Sequence, residues 1–231
     1  MYQRDYIMRL IEQTAKIIGQ VINKRGQALQ ERLEIINQAM KRLVGLDSRL
    51  LQALAVRDLL ELISQGGRPD IGKALALSDM MIARGRMLKE EQHGEQAARE
   101  SIRWAELLLL VRADEEDSAM LKEIDERIEA ALELAGRSPM GTELLELLIP
   151  YYEETGRLSK AEDALFHRLA VKDGDEPSDS WLVILENGLL MYERWTLLSE
   201  PVLTAGGLSA PEVAQSQKEL IEMKNATVNK R

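Results

Sequence analysis

Apolar residues fall at helical spacing along nearly the whole chain. Between positions 4 and 23, Ile7, Leu10, Ile11, Thr14, Ile17, Ile18, Val21 and Ile22 recur at steps of three and four, one stripe of an amphipathic helix that stops near Gly26. Next, Leu29, Leu33, Ile36, Met40 and Leu43 alternate steps of four and three, a heptad-like seam two heptads long. The two segments predict an antiparallel helical hairpin docked on the rest of the protein. Asp47 or Ser48 can cap a third helix, filled from Leu50 to Ile63, because a short polar side chain accepts hydrogen bonds from unpaired N-terminal amides. Ser64-Gln65-Gly66-Gly67-Arg68-Pro69-Asp70 then breaks the helical pattern and is the expected internal boundary.

Further helices are predicted over 71–91, 95–112 and 118–134, the last preceded by four acids, Asp114, Glu115, Glu116 and Asp117, which favour a helix N-terminus. Three more follow over 141–154, 159–171 and 180–199. Ser209-Ala210-Pro211-Glu212 is a capping box that starts a final helix over 211–225. No stretch sustains period-two alternation, so the expected fold class is all-α. The expected organisation is an N-terminal helical hairpin region at 1–65, a helical array at 70–225 and a frayed tail at 226–231.

The segment 144–165 places Leu148, Tyr152, Gly156 and Ala161 so that a Tyr ends one helix, a Gly follows four residues later and an Ala five residues after that. It resembles a tetratricopeptide repeat, whose turn needs a glycine for left-handed backbone and whose second helix needs a small residue for close approach. Two departures stand out: Arg168, where the family usually has a small residue, and Pro177, later than the family's closing proline. A weaker second unit over 78–106 matches at Gly85, Leu88 and Ala97. It has Gln92 at the turn-glycine site with His93-Gly94 beside it, and Trp104 where a small residue is expected. Ala97 and Ala161 lie 64 residues apart, short of two repeats of about 34 residues, so the register slips. Residues 178–225 suggest a third, degenerate hairpin containing Gly188.

The resemblance implies helical hairpins stacked as a short tetratricopeptide-like right-handed superhelix behind the N-terminal hairpin. Its concave face would hold a peptide or partner helix, with Glu143, Glu146 and Glu153 at the inward positions of the clearest unit. Such an acidic groove favours a basic segment through its field. The opening Tyr2-x-Arg4-Asp5-Tyr6-x-x-Arg9-Leu10-Ile11, with this layout, is also similar to an uncharacterised bacterial family of helical proteins, a resemblance that carries no activity.

Composition narrows the function classes. Apolar residues make up 45% and charged residues 30%, ordinary for a folded protein, and Phe occurs once. There is no cysteine, which removes disulfides, thiolate metal sites and cysteine nucleophiles, and suits a cytoplasmic location. The N-terminus lacks the basic and apolar regions of a signal peptide. The longest apolar run, 107–111, is far below the roughly 20 residues of a membrane helix. A net charge of −9 argues against non-specific nucleic-acid binding. It is uneven, since residues 1–50 hold nine Lys or Arg against five Asp or Glu, +4, leaving −13 for the rest.

No catalytic residue, cofactor or metal is expected. His93 and His167 fit no zinc-ligand spacing, and 114–117 lacks the calcium-loop pattern. Gly66-Gly67 and Gly206-Gly207 lack a phosphate-loop lysine and are expected to be turns. Trp181, Trp195 and Tyr192 are assigned to core packing over an interface anchor, as are Met80, Met81 and Met87. The leading expectation is therefore a non-enzymatic interaction protein. Two others stay open: a homodimer formed through the N-terminal helices, whose stripes have no evident repeat partner, and an enzyme with a carboxylate-based site.

Overall fold

The computed structural model describes residues 2–24, 26–171 and 179–228; Pro177, Lys230 and Arg231, on which expectations above rest, lie outside them. The described residues form twelve α-helices and one two-residue β-ladder, so the fold is all-α. Contacts group the chain into two compact units, Met1–Pro139 and Met140–Arg231. The turn at 64–70, expected as a boundary, lies inside the first.

In the first unit α5 (Ile71–Glu90) is the central element. Thirteen of its twenty residues are buried, including Ala74, Leu75, Ala76 and Leu77 in succession. A helix apolar on all sides must be surrounded, and α1 (Tyr2–Asn23), α2 (Leu29–Val44), α6 (Gly94–Ala113) and α7 (Ser118–Ala135) all pack on it. The N-terminal hairpin thus docks as expected. From α1, Ile7, Thr14 and Val21 are buried, and from α2, Leu33, Ile36 and Met40. Gly72 permits the approach, since a Cβ there would lie 3.1 Å from Leu10 and 3.2 Å from Tyr6. Met80, Met81 and Met87 are core residues. Part of each stripe that motivated a dimer thus finds a partner in α5, while Ile22 at the end of the α1 stripe stays 50% exposed.

The predicted third helix is two helices, α3 (Ser48–Ala53) and α4 (Val56–Ile63), separated by extended backbone at Leu54 and Ala55. Neither glycine nor proline marks this break. Its cause is Arg103 on α6, whose guanidinium donates to the carbonyls of Leu51, Gln52 and Leu54 and so satisfies the open end of α3. Asp47 caps α3 as expected, accepting from Arg49 and Leu50 at 3.0 Å. The short strands β1 (Ser64–Gln65) and β2 (Arg68–Pro69) then flank Gly66 and Gly67, both at positive φ (+60° and +81°), as a tight two-residue hairpin requires. Asp117 caps α7 through Ala119 and Met120, the role assigned to that acidic run.

The second unit holds α8 (Thr142–Glu154), α9 (Leu158–Ala170), α10 (Asp179–Trp195), α11 (Glu200–Ala205) and α12 (Ala210–Val228). Helix α11 has no counterpart in the sequence expectation, which ran a single helix to position 199. It sits tightly on α9: a Cβ on Gly206 would meet Leu158 at 2.5 Å, and the Gly206 carbonyl accepts from the Ser159 amide. Trp181, Tyr192 and Trp195 are core residues, the last two with ring centroids 4.9 Å apart. The capping box at Ser209 and Glu212 forms reciprocally.

Candidate functional site

The residues singled out by the repeat pattern come together in the α8–α9 hairpin. Gly156 adopts φ +72°, and the Arg157 amide donates to the Tyr152 carbonyl at 2.8 Å while the Gly156 amide donates to Glu153 at 3.0 Å. This paired bonding closes α8 with a left-handed residue, as a Schellman turn does. Leu148 and Tyr152 are buried, and Ala161 is fully buried, which lets α9 approach α8 closely. Above the turn the Arg157 guanidinium lies 4.9 and 5.0 Å from the Tyr151 and Tyr152 ring centres, and the Lys160 ammonium 5.3 Å from Tyr152.

The α5–α6 hairpin repeats this turn 64 residues earlier. There Gln92 itself takes φ +66°, the His93 amide donates to Leu88 at 2.8 Å, and the Gln92 amide to Lys89 at 3.2 Å. The turn is thus made at Gln92 and not at His93-Gly94. Ala97 is fully buried, in the place of Ala161. Trp104 and Arg168, the two bulky departures, are also 64 residues apart, and both are buried. Each hairpin has therefore filled the same crowded position with a large side chain.

Between α8 and α10 runs a cleft of about 270 Å³. Ile149 and Pro150 form one wall, Ile184, Leu190 and Met191 the other, and Leu165 and Gly188 the floor. Gly188 is where α9 comes closest, since a Cβ there would meet Leu165 at 2.8 Å. Two of the three predicted glutamates line the cleft, but neither offers a bare charge. Glu146 accepts from the buried Arg168 at 2.7 Å, and Glu153 accepts from Arg194 at 2.7 and 3.1 Å and from the Trp195 indole at 3.1 Å. The hydrogen bonds to Glu153 raise the Arg194 pKa above its ordinary value. Glu143 is exposed, bonded to Thr142, and is not part of the cleft lining. Behind α10, Tyr192 donates to Glu162 at 2.5 Å, and burial first, then that carboxylate, push its phenol far above the usual range.

A family model described as Family of unknown function (DUF6483) matches residues 1–225. The chain belongs to this family. No curated protein and no solved structure gives a significant match.

Elsewhere in this DUF6483 chain, a wider recess of about 680 Å³ in the first unit lies between the β-hairpin and the loop after α6, walled by Arg68, Asp114, Glu115 and Glu116. None of the predicted site residues reaches it. His93 and His167 are exposed, and among the described residues no group of acidic, histidine or cysteine side chains could hold a metal ion. Among those residues, too, no helix is long and apolar enough to cross a membrane. Sequence reasoning missed the α10 wall of the cleft, although Ile184, Asn187, Leu190, Met191 and Arg194 already recur there at helical spacing.

Proposed function

We propose that this DUF6483 protein is a non-enzymatic interaction scaffold. Its α5–α6 and α8–α9 hairpins are tetratricopeptide-like units, and the α8–α10 cleft holds an amphipathic peptide or partner helix. What carries the proposal is the cleft itself: an apolar floor and walls, with Leu190 left 51% exposed at its rim beside two Arg–carboxylate pairs. A helix laid in a groove uses such apolar anchors for affinity and charged rims for register. The carboxylates that line the cleft are held by guanidinium and indole donors, an arrangement that fixes α8 against its neighbours.

The preferred occupant has basic flanks. Residues 140–231 hold nine Lys or Arg against sixteen Asp or Glu, a net −7, so the field around the cleft attracts cations even with Glu146 and Glu153 paired. Reversing those two glutamates is a poor test, because it also breaks the contacts to Arg168 and Arg194. Substitution at the exposed rim is cleaner. Partners captured from the native cell by the wild-type chain should be lost with Leu190→Asp and kept with Leu50→Asp, an equally exposed leucine of the first unit. Identical partner sets for all three chains would sink the proposal.

A further inference from the structure

We infer that a second copy of this chain docks on the outer ridge of α1, antiparallel, about a two-fold axis beside Ala15. This inference does not depend on the α8–α10 cleft. Helix α1 carries two apolar stripes one residue out of step. Ile7, Thr14 and Val21 are buried against the unit's interior. One position on, Met8, Ala15 and Ile22 repeat at seven-residue spacing and face solvent: Met8 is 48% and Ile22 50% exposed, and Ala15 is exposed. Ile11 and Ile18, only partly covered, complete the alternating three- and four-residue pattern of a helix–helix seam.

The ridge fits a helix, and specifically its own copy. Its centre is small. A Cβ added at Gly19 would meet nothing within 4 Å, so a neighbouring backbone can come close at Ala15 and Gly19. Because Met8 and Ile22 each lie seven residues from Ala15, an antiparallel copy centred there sets Met8 against the partner's Ile22 and Ile22 against the partner's Met8, the reciprocal pairing a two-fold contact demands. The charges agree. Glu12 and Lys16 share the flank of the ridge on either side of the axis, so Glu12 of each copy falls near the partner's Lys16. With Arg4 and Arg9 against Asp5, α1 carries a net charge of only +1, and two copies repel little. One helix ridge buries less than the ~1,200 Å² of a standard interface, so the dimer is weak and concentration-dependent.

The absence of cysteine allows a direct test in the full chain. Sedimentation of the wild-type protein from ~10 to ~500 µM, the range where such affinities fall, should show its mass rising towards that of a dimer, while Ala15→Glu stays monomeric. Under mild oxidant, Ala15→Cys should form a disulfide-linked dimer at least tenfold faster than Ala53→Cys, an exposed alanine on α3. A mixture of Met8→Cys and Ile22→Cys should cross-link faster than either variant alone. A wild-type chain monomeric across the range, with Ala15→Cys no faster than Ala53→Cys, overturns the inference. Faster linking of Met8→Cys to itself overturns the antiparallel arrangement.

Discussion

At the scale of single residues, stability rests on a few side chains whose surroundings the sequence does not announce. Arg84 is buried, and its guanidinium meets Glu100 at 2.7 and 3.3 Å; Glu100 also accepts from Gln52 and Gln96, and Asn37 accepts from Arg84. Glu100→Ala would strand a buried cation, so chemical denaturation should show a loss of about 3–5 kcal/mol. Replacing both members by Met should cost less than that single change. The left-handed turns give a second prediction. Gln92 takes a conformation that costs a side-chain-bearing residue about 1 kcal/mol. Gln92→Gly should therefore stabilise by about 0.5–1 kcal/mol, and Gly156→Ala should destabilise by about 1 kcal/mol. The spacing of Tyr152, Gly156 and Ala161 made one turn legible from sequence. The other was hidden because Gln92 does a glycine's work under tertiary pressure.

At the scale of elements, helix positions were legible and helix breaks were only partly so. Apolar periodicity located α1, α2 and α5 to α10, the capping box at Ser209 and Glu212 located α12, and the pair Asp47–Ser48 and the acidic run 114–117 marked the starts of α3 and α7. The gap between α3 and α4 was not legible, because its cause is Arg103, roughly fifty residues away. Burial lowers the pKa of that guanidinium, with Glu106 and Glu100 opposing the shift. Arg103→Met should cost about 1–3 kcal/mol by leaving α3 carbonyls unsatisfied, and hydrogen exchange at 48–63 should quicken before that of α5. The capping box of α12 gives a pH signature. Hydrogen bonds from the Ser209 side chain, then from its backbone amide, hold the Glu212 pKa below its ordinary 4.5. A depressed folded-state pKa adds stability above the unfolded value, and that contribution is lost as pH falls through the folded one. The start of α12 should accordingly loosen below about pH 4.5, seen as faster amide exchange at 210–214, and Glu212→Gln should remove that acid dependence.

For the whole molecule, the all-α class was legible from periodicity and composition together, whereas the grouping into Met1–Pro139 and Met140–Arg231 was not. The glycine-rich turn at 64–70 is the strongest break in the sequence, yet it sits inside a unit because α1 and α2 each bury one face on α5, the helix that follows the turn. The candidate site was half legible: the repeat pattern located Glu146 and Glu153, but their partners Arg168 and Arg194 lie 22 and 41 residues away. Those pairs turn the expected acidic groove into an apolar cleft with a nearly neutral rim, inside a unit whose net charge is −7. The interaction reading is tested most directly by placing a photo-crosslinking amino acid at position 190, and separately at position 50, in the chain expressed in its native cell. An occupied cleft gives one discrete protein adduct from position 190, abolished by Ile184→Asp at the half-buried cleft wall. Adducts of the same pattern from both positions, or none from position 190 at any expression level, would contradict the interaction reading.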